Sequence, residues 1–383
     1  MQIGVPKETL SGERRVAILP DAAARLVKAG AGCLVEAGAG DGALVSDAQY
    51  EAAGARILDA SGLYQAADVV TRVQPPSLEE AGRLRSGTVL VGFLAPLSDF
   101  KLAQRLAEAG VTSLSMELVP RITRAQAMDA LSSMSTISGY KAVLLAAQEL
   151  PRFFPMLITA AGTLPPARVF VLGAGVAGLQ AIASSRRLGA VVSAFDVRPA
   201  VKEQVQSLGA TFVQVELQQQ DTEDAGGYAK ALSEEAHRRE VELIAKTVRE
   251  MDVVITTALI PGQRAPILIT AEMVRAMKPG AVIVDLAAEA GGNCELSRPG
   301  ERTVVGGVTI LAPLNLPTTM PVHASQMYSR NISSLVALLM KDGKLVVDMQ
   351  DEIIRGCCLT HGGRIVHERT RALMEKAAGA TLS

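Results

Sequence analysis

The sequence predicts an α/β protein made of two doubly wound parallel-sheet domains. Three observations carry this. Short apolar, β-branched runs alternate with Ala/Leu-rich stretches of helical character from Gln2 through Leu311. One strand-to-helix joint, Gly173-Ala174-Gly175-Val176-Ala177-Gly178, has the glycine spacing of a dinucleotide-binding turn. The chain, at 383 residues, is long enough for two domains, each with its own core.

The first series of strands is expected at Gln2–Val5, Gly32–Glu36, Ala55–Leu58, Val69–Val73, Thr88–Leu94 and Thr112–Met116. Helical stretches such as Pro20–Ala29, Asp47–Ala53 and Asp99–Ala109 lie between them. A longer helix is expected from Ala127 to Leu150, ending before Pro151, and a proline-spotted stretch, Pro155 to Pro166, comes after it. The second series runs Val169–Leu172, Val191–Phe195, Thr211–Gln214, Val253–Thr256, Ala281–Asp285 and Val308–Leu311. Between Glu216 and Gly227 the composition is Gln/Asp/Glu-rich, as in a surface loop. A helix over Ser325–Met340 and a tail, Gly343 to His367, close the chain. Long helices before and after the second series would join the two domains, and the tail would return to the first. The expected division is therefore 1–127 plus 321–383, a Rossmann-like N-terminal domain, and 128–320, a Rossmann domain that binds NAD(H). A cleft between them is the default ligand site.

The fingerprint has a mechanical reading. Gly173 permits the tight turn, Gly175 lets the backbone approach a pyrophosphate, and Gly178 lets helix and strand lie close. The N–H groups opening the helix at Val176 then face the phosphates. The next strand ends at Asp196, with Val197 and Arg198 behind it, where the adenosine end should lie. An acid there bonds the ribose 2′-OH and disfavours a 2′-phosphate, so NAD(H) is expected even though Arg198 is adjacent. Leu259, in Thr256-Thr257-Ala258-Leu259-Ile260-Pro261, is a candidate for the pocket wall.

Hydrophobic residues make up 49% of the chain and charged residues 20%, and the net charge is −1. That balance gives no purchase on nucleic acid or an anionic membrane surface. No apolar run approaches membrane-spanning length, and the N-terminus lacks the basic start and apolar region of a signal peptide. A cytoplasmic protein without direct membrane insertion is expected. Cys33, Cys294, Cys357 and Cys358 are too few for a disulfide framework. Cys357, Cys358, His361 and His367 lie close in sequence but match no common zinc spacing, so no metal is expected.

Several stretches go beyond generic dinucleotide logic. Val5-Pro6-Lys7-Glu8 followed by Glu13-Arg14-Arg15-Val16-Ala17 resembles the alanine dehydrogenase and nicotinamide nucleotide transhydrogenase superfamily. The run Met116 to Asp129, containing Arg121, Gln126 and Asp129, is similar to a loop of the transhydrogenases specifically. Gly162–Ala167, Ala225–Ala229 and Ala288–Cys294 resemble that family too, so the resemblance covers essentially the whole chain. It points to the NAD(H)-binding component of proton-translocating transhydrogenases. The resemblance implies a homodimer, a partner subunit carrying NADP(H) and a transmembrane subunit. It also implies a place at the inner face of the cell membrane, reached through that complex. The chain ends at Ser383 without membrane helices, which resembles the form in which this component is a separate polypeptide.

Hydride transfer between two nicotinamides needs no acid, base or nucleophile. It needs the two reacting carbons at roughly 3–3.5 Å and water excluded. By the resemblance, Arg121, Asp129 and Ser132 hold the nicotinamide carboxamide, Gln126 reaches toward the incoming NADP(H), and Gly227 and Tyr228 belong to a loop that closes over bound nucleotide. Read without it, Arg121 and Asp129 would equally be an ion pair capping the helix near Ala127, and the glycine stretch an idle loop. The rival function is amino-acid oxidation of the alanine dehydrogenase kind, which needs proton transfers. Gln74 and Ala95 stand where that family would supply a lysine and a histidine, and neither can do their work. A third reading is a module that binds NAD(H) without catalysis; the Arg121–Ser132 cluster argues against it.

Overall fold

A computed structural model describes residues 1–214 and 234–380. It is an α/β protein with parallel sheets of Rossmann type. The chain divides into two compact units, Met1–Met134 with Pro317–Ser383, and Ser135–Leu316. The first division falls within the helix Ala130–Glu149 and the second just before the helix Pro321–Leu338.

In the first unit the sheet runs, from one edge, Arg56–Leu58, Gly32–Glu36, Gln2–Val5, Val69–Thr71, Val89–Gly92 and Thr112–Ser115. Those six are mutually parallel. Chain order across them is three-two-one-four-five-six, so connections leave the central pair in opposite directions. That makes a switch point beyond the ends of Gln2–Val5 and Val69–Thr71. Two further strands, Cys358–His361 and Arg364–Ile365, extend the sheet antiparallel. Cys358 sits opposite Leu114, so the tail completes a sheet begun at the N-terminus. Ile3 and Val5 are buried in this sheet, and Leu34, Val70 and Leu90 share one core cluster with Leu63, Leu102 and Leu106.

The second unit repeats the order. Thr211–Val213, Val191–Phe195, Arg168–Leu172, Val253–Thr256, Val282–Asp285 and Val308–Leu311 are parallel, and Arg302–Val305 adds an antiparallel edge. Alternation along one strand serves two cores. Val169 and Val171 enter one with Ala181, Ile182 and Val205, while Phe170 and Leu172 enter the other with Ile244, Val248 and Ile283. Both faces are covered, which is why the strands read as continuous apolar runs rather than as polar–apolar alternation.

Some expectations shift. The long helix starts at Ala130 rather than Ala127, because Thr123–Met128 forms a 3₁₀ turn and Asp129 caps the helix after it. The closing helix covers Pro321–Leu338 instead of Ser325–Met340, with proline seated in its first turn, where its missing N–H costs nothing. The proline-spotted stretch contains a hairpin, Leu157–Thr159 with Gly162–Leu164. Glu216–Gly227 and Tyr228 lie outside the described residues.

Candidate dinucleotide site

The glycine turn of the second unit has the geometry its spacing implies. Gly173 has φ +96°, a left-handed conformation that favours glycine. A Cβ on Gly178 would run into the Gly173 carbonyl, so helix and strand approach as closely as the third glycine requires. A Cβ on Gly175 would meet nothing within 4 Å. Open space lies there, which is what a pyrophosphate needs. Gly175 is the N-cap of Val176–Arg187, and Val176 is 42% exposed at its first turn. N–H groups of a first helical turn have no partner within the helix, and the dipole favours an anion.

The neighbouring strand end supports this turn. Thr257 Oγ1 donates to the Gly173 carbonyl at 3.0 Å. The next residues are fixed by Asn293, fully buried, whose Oδ1 accepts from Ala258 N–H at 3.0 Å and whose Nδ2 donates to the Ala258 and Pro266 carbonyls. Asn293 N–H in turn donates to Asp285, a fully buried carboxylate that also accepts from Thr256 Oγ1, Ala287 N–H, Cys294 N–H and Ser297 Oγ. This holds Leu259 out at 46% exposure, available as a wall. Sequence alone does not single out Thr257, Asp285 and Asn293. Asp285 shows there only as an acid ending an apolar strand, and Thr257 and Asn293 only as members of the stretches Thr256–Pro261 and Ala288–Cys294.

Asp196 lies where the sequence places it, but its carboxylate is already engaged. It accepts from Ala174 N–H at 2.7 Å, from Arg198 N–H at 2.9 Å and, bidentately, from the Arg198 guanidinium at 2.9 Å on each oxygen. Val197, between them, is half-buried. The acid therefore links the glycine turn to its own strand end and holds Arg198 against itself. Glu240, on the helix Glu234–Val248, is 6% exposed; burial, with the Asp196 charge adding, pushes its carboxyl up to about 7.

The loop residues belong to the first unit. Arg121 and Gln126 are exposed, and Asp129 and Ser132 are half-buried. Asp129 accepts from Ser132 N–H at 2.9 Å and from Ser132 Oγ at 2.6 Å, so its carboxylate caps the helix. Arg121 makes a polar interaction as well. Gly227 and Tyr228 lie outside the described residues.

The switch point of the first sheet is filled by charge. Arg72, 1% exposed, pairs with Glu80 at 2.7 Å and Glu8 at 3.5 Å. Burial raises the Glu8 carboxyl against the pull of Arg72. Arg15, 3% exposed, is bonded to Glu13, and Gln74 Nε2 donates to the same Glu13 at 2.8 Å. Ala95 sits at φ 48°, its N–H and that of Leu94 bound by the half-buried Glu117 carboxylate, which also accepts from Ser115 Oγ. Cys357 and Cys358 are buried thiols whose burial raises them well above their ordinary range. His361 bonds Thr112 and His367 bonds Thr370. Among the described residues no group of three His, Cys, Asp or Glu is arranged to hold a metal.

Comparison with known proteins agrees along the length of the chain. The family model described as alanine dehydrogenase/PNT, N-terminal domain, matches residues 4–138, and the corresponding C-terminal domain model matches 142–368. A Rhodospirillum rubrum protein named for the first part of an NAD(P) transhydrogenase subunit alpha is 49% identical over 376 residues, 96% of this chain and 98% of its own. The crystal structure of a transhydrogenase from Sinorhizobium meliloti superposes with a TM-score of 0.88 at 45% identity, covering 96% of this chain and 100% of that one. An L-alanine dehydrogenase structure superposes with a TM-score of 0.82 at 26% identity, covering 98% and 99%.

Proposed function

The chain belongs to the alanine dehydrogenase/PNT family, and from that premise we propose that it is the NAD(H)-binding component of a proton-translocating transhydrogenase. In this reading NAD(H) is a substrate anchored at Gly173, Gly175, Val176 and Gly178. Asp196, Val197, Arg198 and Leu259 line the same site, and Gly227 and Tyr228 close over it. Arg121, Asp129 and Ser132 fix the nicotinamide face, and Gln126 meets a second nucleotide, NADP(H), held by a partner subunit. Hydride passes between the two C4 atoms, and a transmembrane subunit couples the transfer to proton movement.

The observation that carries the choice within the family is the pair Gln74 and Ala95. An amino-acid dehydrogenase must shuttle protons at the substrate. Gln74 has no titratable group and spends its amide on Glu13, while Ala95 offers only a methyl. Hydride exchange between nicotinamides asks for neither. The geometry of the glycine turn supports a pyrophosphate at Gly175, and the bidentate hold of Asp196 on Arg198 keeps that guanidinium from serving a 2′-phosphate, which favours NAD(H) over NADP(H). Among the described residues no helix is long and apolar enough to cross a membrane; in this reading attachment at the inner face of the membrane comes through the partner subunits. A homodimer is supported by the apolar surface of the Leu157–Leu164 hairpin, where Ile158 is 79% and Leu164 42% exposed.

The test mixes the chain with the NADP(H)-binding component of its complex and monitors reduction of an absorbance-shifted NAD⁺ analogue by NADPH. Exchange is expected, and Arg121→Ala should slow it about 100-fold, the cost of losing near-attack geometry. Undiminished exchange in Arg121→Ala, or rapid alanine-dependent reduction of NAD⁺ by the chain alone, would overturn the reading.

A further inference from the structure

In the segment Arg121–Met128, Ala125 and Met128 are buried, whereas Arg121, Thr123, Arg124, Gln126 and Ala127 are exposed. Two elements more than two hundred residues later hold it. Arg124 forms a bidentate pair with Asp351, Nη1 to Oδ2 at 2.7 Å and Nη2 to Oδ1 at 2.9 Å. Asn331, buried on the helix Pro321–Leu338, donates Nδ2 to the Ala127 carbonyl at 2.8 Å. Asp351 does not depend on Arg124 for its own position. It is the N-cap of Glu352–Cys357, accepting from Ile353 N–H at 2.8 Å and Ile354 N–H at 3.3 Å. Pro120, at the start of the segment, lies against Gly356 of that same helix. A carboxylate anchored to helix backbone thus grips the middle of the segment through a planar, two-point contact, the geometry that makes an arginine–carboxylate pair directional.

We propose that Asp351 is a positioning residue: through Arg124 it sets where Gln126 and Asp129 stand, and so gives the C-terminal segment a part in the reaction. The proposal deepens, and rests on, the hydride-transfer reading above. Exposed ion pairs contribute little to global stability, and half of the Arg124 side chain is exposed. The effect is therefore local order of the segment, which is the quantity a hydride-presenting loop needs and folding does not.

The experiment uses three variants of the full chain: Arg124→Ala, Asp351→Asn and the double variant. Asparagine caps a helix about as well as aspartate, so Asp351→Asn removes the charge and leaves the helix start intact. Amide hydrogen exchange over residues 122–129 is measured on the chain alone. Each single variant should exchange about fivefold faster there, with the melting temperature unchanged. The double variant should be no faster than either single, because both break one contact. With the NADP(H)-binding component present, the variants should slow hydride exchange more than they weaken NADH binding. Amide exchange unaltered in the singles, or effects that sum in the double, would overturn the proposal. Hydride exchange absent from the wild type would count against the functional reading instead, since the amide measurement needs no partner.

Discussion

At the switch point of the first sheet, Arg72 is 1% exposed and clamped between Glu8 and Glu80; at that of the second, a Cβ on Gly175 would find open space to 4 Å. The strand order around the two points is the same. Topology makes a crevice in both, as it must when connections leave neighbouring strands in opposite directions. The residues just past each strand decide its use. After Leu172 come glycines and a helix start that leaves N–H groups for a ligand. After Thr71 comes an arginine whose guanidinium meets carboxylates from other segments, and beside it Gln74 and Arg15 converge on Glu13. The first crevice is spent on internal pairing, and the second keeps open space at Gly175.

Breaking the first crevice should therefore cost folding rather than binding. Arg72→Met leaves Glu8 and Glu80 buried without their guanidinium, and urea unfolding should show a loss of about 3–5 kcal/mol. NADH affinity of the folded fraction should hold. Intact stability with impaired NADH binding would mean the comparison is drawn wrongly and the first crevice is a ligand site.

A smaller effect separates the crevices by pH. Burial, with the Asp196 charge adding, raises the carboxyl of Glu240 in the second unit from the ordinary 4.5 to about 7. Its folded form holds the proton more tightly than the unfolded form. That contribution to stability is fully present below 4.5 and is lost as pH rises through about 7. Glu240→Gln should match the wild type near pH 4 and exceed it at pH 8 by on the order of 1 kcal/mol. A constant difference across that range in thermal melts would show that Glu240 does not titrate there.

The two crevices are not equally legible in sequence. The glycine turn is contiguous, and each of its residues answers a local steric demand, so spacing alone locates it along with Asp196. The charged crevice is assembled from Glu8, Glu13, Arg15, Arg72, Gln74 and Glu80, and a lone arginine or glutamate in a sequence reads as surface. Only folding brings them together. The parallel strands are legible because burial on both faces makes them apolar runs. Arg302–Val305 escapes notice because its exposed residues alternate with half-buried ones, and Cys358–His361 because its partner, Thr112–Ser115, is far away in sequence. For the same reason the sequence does not single out Asp351 or Asn331, which bond Arg124 and the Ala127 carbonyl from the other end of the chain.

The central claim is tested most directly by a calorimetric titration of the full chain with NADH, wild type beside Gly175→Ala. Gly175 has φ −75° and ψ −169°, which alanine adopts without strain, so the added methyl enters only the space given to the pyrophosphate. The expected result is one NADH per chain, and in Gly175→Ala an affinity lower by about tenfold or more with the melting temperature unchanged. Two sites per chain, or an affinity untouched by the methyl, would contradict it.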